Sequence, residues 1–258
     1  MRPEWDQNGV LAELDPWFEL QEKPPVPLHS ARKAKLLSSE RACKFFLTEL
    51  TDTVGKRDFF GSAASYDLLV GTQPDFYRAF MIRTWRNIGE SGVVGLLHPD
   101  THFSGAREGA LRAAAYKRLR VHGNFVNEMQ RFFEDVHHAV SFGVHIYGRP
   151  QEIRFAHLSW LVDAAQLPAS LALAASGLLP PGWGPDSGTP GVRYKGEWDG
   201  RPHPDRVIIV DREILALWSR LADNEDLPVD QARLLSPVSG TEHAAIRALA
   251  NCANRLGR

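Results

Sequence analysis

The amino-acid sequence predicts an α/β fold, and neighbouring segments between residues 92 and 148 carry that prediction. Segment 92–100 opens with a short apolar run of the kind found in buried strands, and a proline ends it. Segment 108–122 has apolar residues at helical spacing, and Gly123 is predicted to end that helix. Segment 124–129 alternates polar and apolar residues as a strand does, and 140–147 is a further strand. The predicted order is strand, helix, strand, loop and strand, ending in an antiparallel pair.

Helices and shorter strands are predicted on both sides of this region. Residues 30–57 are predicted to form one basic helix with Ser30 as its N-cap. The segments that follow the central region alternate again, with strands predicted at 153–158 and 207–210 and helices at 212–222 and from Thr241 onward. The Ala/Leu-rich segment 164–179 is predicted as either a helix or a poorly specified loop. A Pro/Gly-rich connection at 179–205 is the best candidate boundary in this part of the chain.

Composition is ordinary for a globular protein and leaves the partner open. The chain has 258 residues, 43% hydrophobic and 24% charged, with a formal net charge of −1. Bulk charge therefore neither indicates nor excludes nucleic acid. Two cysteines, without metal-site spacing, fit a reducing cytoplasm rather than a disulfide framework. The sequence has no signal-like N-terminal apolar region and no apolar run long enough to span a membrane, so we expect no membrane partner.

The segment predicted as the helix 108–122 is strongly basic. A basic helix can follow the phosphates of a nucleic acid, although such charge is also typical of a solvated face. The sequence predicts contacts to a nucleic-acid backbone by Arg107, Arg112, Lys117 and Arg120.

A metal site is the less favoured interpretation of the histidines. His98, Asp100 and His102 form an H-x-D-x-H run, with His137, His138 and His145 further along the chain. Histidine and carboxylate groups bind zinc or iron, and alternate residues of a strand share a face. However, Pro99 interrupts the strand and the spacing matches no standard motif, so the sequence predicts no metal site.

Four segments together resemble one family. Gly92-Val93-Val94-Gly95-Leu96-Leu97-His98-Pro99 is followed by a helix, then by Phe132-Phe133-Glu134-Asp135, and then by Val140-Ser141-Phe142-Gly143-Val144. The opening Met1-Arg2-Pro3-Glu4-Trp5-Asp6 is similar to the segment directly after that family's catalytic N-P-P-[YFW] motif. In order and content these segments resemble the adenine-specific DNA methyltransferases that are fused to restriction activity in single-chain restriction-modification enzymes.

The resemblance implies a partial Rossmann-like methyltransferase sheet, formed by its last three strands with the final pair antiparallel. It implies that Phe133, with Phe132 as second choice, stacks on a target base extruded from DNA, and that Pro3 and Trp5 lie near the same base. S-adenosylmethionine is the cofactor of the family.

The chain also departs from the family, because it contains neither the Gly-rich cofactor motif nor the N-P-P-[YFW] tetrapeptide. We therefore expect a partial catalytic domain at 1–150 and a following region at 151–258 that leads toward target recognition. Such a segment is expected to be inactive alone, to bind no S-adenosylmethionine by itself, and to need a chain that carries the missing half. The alternatives are a non-enzymatic nucleic-acid-binding or interaction protein and a split-enzyme subunit.

Overall fold

The structure is a computed structural model that describes residues 5–73, 75–180, 182–183, 187–222 and 227–252. The chain forms two compact units, Met1–Ala79 and Phe80–Arg258. The predicted division of function at residue 150 stays a prediction.

The first unit is helical. Its core consists of Leu11, Phe18 and Phe46, and Trp5 packs edge-on against Phe46 with ring centroids 5.3 Å apart. The single helix predicted at 30–57 is wrong, since two helices meet at a pair of serines that interrupt it. The helices are α1 (Gln7–Ala12), α2 (Trp17–Leu20), α3 (Val26–Leu37), α4 (Glu40–Gly61), α5 (Ala63–Tyr66) and α6 (Phe76–Asn87), which continues into the second unit.

The second unit is built on a sheet, which confirms the mixed α/β class with flanking helices. The strands are β1 (Val94–His98), β2 (Leu119–Val126), β3 (Ser141–Tyr147), β4 (Arg154–Leu161), β5 (Arg193–Tyr194), β6 (Glu197–Trp198) and β7 (Ile208–Asp211). The main sheet has five strands in the order β1-β3-β2-β4-β7, and β5 and β6 form a separate hairpin. The sheet is thus larger than the predicted three strands, because β4 and β7 join it.

Strand β3 lies between β1 and β2 and runs antiparallel to both. The predicted antiparallel pair at the end of the central region is therefore present as β2 and β3. On its other side β2 pairs in parallel with β4, and β4 pairs antiparallel with β7. Strand β2 is consequently central, with hydrogen-bonded neighbours on both sides, and most of its residues are buried.

The helix predicted at 108–122 is shorter than expected, and Gly123 does not end it. Helix α8 covers only Gly109–Tyr116, and β2 begins at Leu119. Pairing with two neighbouring strands outweighs the helical spacing of the sequence, which reaches only to residue 119. Gly123 instead lies inside β2, where a Cβ would stand 3.0 Å from the side chain of Leu167.

The other helices of this unit are α7 (Thr101–Ser104), α9 (Gln166–Ser176), α10 (Arg212–Ala222) and α11 (Gly240–Ala250). Ser239 caps α11 by accepting a hydrogen bond from the Glu242 amide, and Gly177 ends α9 in the left-handed conformation. Within the described ranges, no helix is both long and apolar enough to cross a bilayer.

Candidate functional site

Buried histidines from three neighbouring strands form a row across the sheet. His122 on β2 is in register with His145 on β3 and with His157 on β4. Because residues paired across strands share a face, their rings lie side by side, with centroids 4.8 Å and 4.9 Å from that of His122. His98, the last residue of β1, stacks on His145 at 3.8 Å. All four side chains are buried.

One carboxylate faces two of these imidazoles. Asp100 Oδ1 lies 2.9 Å from His145 Nε2 and 3.2 Å from His122 Nε2. Its other oxygen, Oδ2, accepts a hydrogen bond from the side-chain amide of Asn124 at 2.7 Å. Ligand atoms of Asp100, His122 and His145 all lie within 4.8 Å of one another, which makes these three residues candidates to hold a metal ion.

Hydrogen bonds behind the row fix the orientation of His122. His157 Nε2 lies 3.1 Å from the backbone carbonyl of Leu235, which can only accept, so this nitrogen donates. The Nδ1 atom of a neutral His157 then accepts from His122 Nδ1, 2.9 Å away. A neutral His122 therefore carries its proton on Nδ1 and directs the lone pair of Nε2 toward Asp100.

Burial lowers the pKa values of three histidines in the cluster. It lowers the pKa of His145 to about 4, against the opposing effect of Asp100. Burial also lowers the pKa values of His98 and His157 to about 3. For Asp100, burial acts to raise the pKa, but His122 and His145 outweigh it, and the pKa lies well below its ordinary value. At neutral pH these three imidazoles, of His98, His145 and His157, are uncharged and Asp100 is a carboxylate.

A cavity of about 580 Å³ opens beside this cluster. His122 and Asn124 line it from β2, and Asp100 lines it from the turn after β1. Glu128 and Ala139 line it from the connection between β2 and β3, and Ser141 lines it from the first position of β3. The cavity therefore lies where β1 and β2 end, the edge at which α/β sheets commonly bind ligands.

Two tryptophans contribute to the cavity lining. Trp160, near the end of β4, is 38% exposed and has a positive φ of 56°, a conformation rare for an aromatic residue. Trp198 of the short hairpin lines the same cavity. Backbone strain of this kind costs on the order of 1–3 kcal/mol and is common at ligand sites. The wall thus offers flat apolar surface next to the polar groups of Asp100 and His122.

Asn127 fixes the loop between β2 and β3. Its amide nitrogen donates to the carbonyls of Phe133 and Val136, and its Oδ1 accepts from the amides of Phe132 and Phe133. Both donors and both lone pairs of this side chain, which is fully buried, are used.

The loop aromatics lie in different surroundings. Phe132 is half-buried against Phe125 and Phe142, so it belongs to the core. Phe133 packs edge-on against Phe142 with 38% of its surface exposed, so one side of its ring is accessible. The base-stacking role of both residues stays a prediction. Trp5 packs in the helical first unit, and Pro3 lies outside the described residues.

The four predicted phosphate contacts are not equivalent. Arg112 is only 1% exposed and donates to the carbonyls of Gln231, His102 and Gly105, so its guanidinium is committed inside the protein. Arg120 is half-buried and donates to backbone carbonyls, including that of Arg149. Lys117 and Arg107 are exposed, although Lys117 lies 3.4 Å from Asp230.

No protein-family model matches this chain, and no curated protein matches it. Solved structures similar to it are restriction-modification methyltransferase and restriction enzyme chains. One is the methyltransferase subunit of a type I restriction-modification system from Streptococcus thermophilus, with 13% identity and a TM-score of 0.34. Another is the type IIG restriction endonuclease BpuSI, with 12% identity and a TM-score of 0.37. A third is the ATP-dependent type ISP restriction-modification enzyme LlaBIII bound to DNA, with 16% identity and a TM-score of 0.29.

The matched regions are only part of this chain and only part of each solved chain. They cover 41%, 68% and 47% of this chain and only 25%, 18% and 9% of the respective solved chains. At such low TM-scores they assign neither a fold nor an activity to this protein.

Proposed function

We propose that this chain supplies the target-base side of an adenine-specific DNA methyltransferase of a restriction-modification or phage-defence system. The observation that supports this proposal best is the position of the cavity. It lies at the ends of β1 and β2, and the loop that carries the partly exposed Phe133 contributes Glu128 and Ala139 to its lining. A base extruded from DNA needs a pocket of this kind and an aromatic ring on which to stack.

In this proposal, the half of the catalytic domain that binds S-adenosylmethionine is supplied by another chain or segment. The sequence holds neither the Gly-rich motif nor the catalytic tetrapeptide of the family that it resembles. Strand β1 is at one edge of the described sheet, so a strand from another chain or segment has a place to pair. In this proposal S-adenosylmethionine binds only after that half is present, and methyl transfer requires both. A cytoplasmic location belongs to the same proposal, and the two free cysteines are consistent with it.

The DNA backbone would be held by the accessible cations of the sequence prediction. Lys117 and Arg107 keep exposed charges, whereas Arg112 serves the interior. The alternative is a nucleic-acid-binding protein without catalysis. In that case the exposed cations would carry the binding, and Phe133 would contribute little.

Phe133→Ala separates these functions. We expect it to weaken binding of an adenine-containing single-stranded oligonucleotide, because a base–aromatic stack contributes roughly 1–3 kcal/mol. This corresponds to an increase in Kd of roughly 5- to 150-fold. The same variant should bind an oligonucleotide whose adenines are replaced by abasic sites as well as the parent chain does. Fluorescence anisotropy measures both, and Phe80→Ala, which removes an exposed phenylalanine from α6, is the matched control.

Equal affinities of the parent chain and Phe133→Ala for the adenine-containing strand would argue for the non-catalytic alternative. Absence of DNA binding by the parent chain would contradict both functions. Calorimetry with S-adenosylmethionine tests the second part of the proposal. We expect no heat from the folded chain alone, and micromolar binding would show that the cofactor site is complete without a partner.

A further inference from the structure

We infer that Asp100, His122 and His145 form a binding site for a divalent transition-metal ion at the floor of the cavity. This inference goes beyond the proposed function and does not depend on it. The adenine methyltransferase resemblance places no metal here, and the sequence alone favours none.

The spacing of the donor atoms fits one ion. In a tetrahedral zinc site with bonds of about 2.0–2.1 Å, neighbouring ligand atoms stand about 3.3 Å apart. Asp100 Oδ1 is 2.9 Å from His145 Nε2 and 3.2 Å from His122 Nε2. All three donor atoms lie within 4.8 Å of one another, so one metal ion can be placed between them after adjustment of the side chains.

The three facing atoms also lack any other partner. Within the described part of the chain, Asp100 Oδ1, His122 Nε2 and His145 Nε2 are buried and have no hydrogen-bond partner outside this group of three. His122 and His145 are 1% and 0% exposed. Buried polar atoms without a partner are rare because each costs about 1–3 kcal/mol.

The hydrogen bonds around the cluster explain why a cation belongs there. His157 holds the proton of a neutral His122 on Nδ1, which leaves the Nε2 lone pair directed at a carboxylate oxygen. Two electron-rich atoms facing each other at 3.2 Å repel unless a positive charge lies between them. His157 behind His122 and Asn124 behind Asp100 supply the kind of supporting hydrogen bonds that orient metal ligands in proteins.

The ligand set identifies the class of ion. Two imidazoles and one carboxylate suit zinc, ferrous iron and related first-row ions, whereas magnesium and calcium prefer oxygen ligands alone. Asp100 and His122 both line the cavity, while His145 is fully buried. Three protein ligands leave at least one coordination position of a four-coordinate ion for water or an oxygen-bearing ligand, as in catalytic rather than structural zinc sites.

The backbone of Gly143 lies directly beside the ligand atoms of Asp100 and His145. A Cβ at this position would overlap Asp100 Oδ1 and would stand 2.6 Å from His145 Nε2. Any larger residue would therefore occupy the space in which the ligand atoms meet.

The test is zinc binding by the purified, chelator-treated full chain, measured by isothermal titration calorimetry. We expect one zinc ion per chain and cobalt(II) visible absorption typical of a four- or five-coordinate N/O site. Asp100→Asn keeps the side-chain size but removes a ligand. Loss of a group that only supports a ligand weakens metal binding by up to about 100-fold. Loss of the ligand itself should therefore raise the zinc Kd by at least about 100-fold. His145→Gln should do the same.

Surface histidines are the competing explanation for any zinc that binds. The double variant His137→Ala/His138→Ala removes two exposed, adjacent histidines from the β2–β3 loop and serves as the matched control. Its zinc affinity should equal that of the parent chain. Loss of binding in this control with retention in Asp100→Asn would overturn the inference, as would a parent chain that binds no zinc.

A second variant keeps all three ligands and tests the geometry. Gly143→Ala should abolish the cobalt absorption, whereas Gly89→Ala, where a Cβ meets no atom within 4 Å, should leave it unchanged. Circular dichroism confirms that each variant is folded before it is titrated. Unchanged cobalt spectra in folded Gly143→Ala would contradict the site. Oligonucleotide binding by the chelator-treated chain reports on the proposed function separately.

Discussion

Replacing Asp199 by alanine is expected to lower the free energy of unfolding by about 3–5 kcal/mol, the range for breaking a buried ion pair from one side. Asp199 follows the short β5–β6 hairpin, and its carboxylate is completely buried. It accepts hydrogen bonds from the amide of Gly191 and from the backbone and guanidinium of Arg201. It also lies 3.4 Å from the guanidinium of Arg206, which is fully buried.

The cost comes mainly from the charge that would be left behind. In the Asp199→Ala variant the Arg206 guanidinium would keep its bonds to backbone carbonyls but lose its buried counter-ion. Urea unfolding at neutral pH measures the difference. Glu197→Ala is the matched control, because it removes an exposed carboxylate from the same hairpin and should change stability by less than about 0.5 kcal/mol.

The effect of Asp199→Ala should depend on pH in a defined direction. Burial acts to raise the pKa of Asp199, but hydrogen bonds from Arg201 and Gly191 and the charge of Arg206 outweigh it, so the pKa lies below its ordinary value of 3.8. The carboxylate therefore stabilises the fold fully above that value, and its contribution is lost as the pH falls through the lower pKa of the folded state. A difference between variant and parent that grows in acid would contradict this account.

Asn127→Ala is expected to lower the free energy of unfolding by about 2–4 kcal/mol, since each of several hydrogen bonds contributes about 1 kcal/mol. Its side-chain amide makes four bonds to the backbone of the loop that carries Phe132 and Phe133. Asn127 directly follows β2, so these bonds tie the loop to the end of a central strand.

Hydrogen exchange gives the local test of Asn127. The amides of Phe132 and Phe133 should lose protection in Asn127→Ala, while the amides of β7 keep theirs. Asn124→Ala is the matched control because it removes a side-chain amide from the neighbouring end of β2, where that amide donates to Asp100. If the Phe133 amide stays protected in Asn127→Ala, other contacts hold the loop and the role assigned to Asn127 is wrong.

The sequence predicts strands correctly where strand periodicity dominates. It predicts them incorrectly where helical and strand periodicities compete. Strands β1 and β3 are close to their predicted ranges because both runs are short and bounded by proline or glycine, which favours a strand over a helix. The segment 117–122 continues a helical pattern in the sequence and is predicted as the end of a helix, but from Leu119 onward it pairs as part of the central strand β2. Only the neighbours β3 and β4, which lie further along the chain, decide between the two.

The same ambiguity hides most of the histidine cluster. His98, Asp100 and His102 stand close together in the sequence, but His102 is not one of the three residues whose ligand atoms converge. The sequence assigns His122 to the end of a helix, so spacing alone cannot place it opposite His145 and His157. The sequence shows only that the segments forming β2, β3 and β4 each contain a histidine. The register of these strands in the folded sheet is what brings the three histidines together.

The central position of β3 has a consequence for the order in which the sheet forms. Strands β1 and β2 come first along the chain but do not pair with each other, because β3 separates them. The β2–β3 pair is the most local of the pairings in the main sheet, since only the loop 127–140 connects its strands. Because short loops close with the smallest entropic cost, this pair should form first, and β1 and the parallel strand β4 should add to its two open edges afterwards. The loop beside the cavity is therefore also the connection at which folding of the sheet is expected to begin.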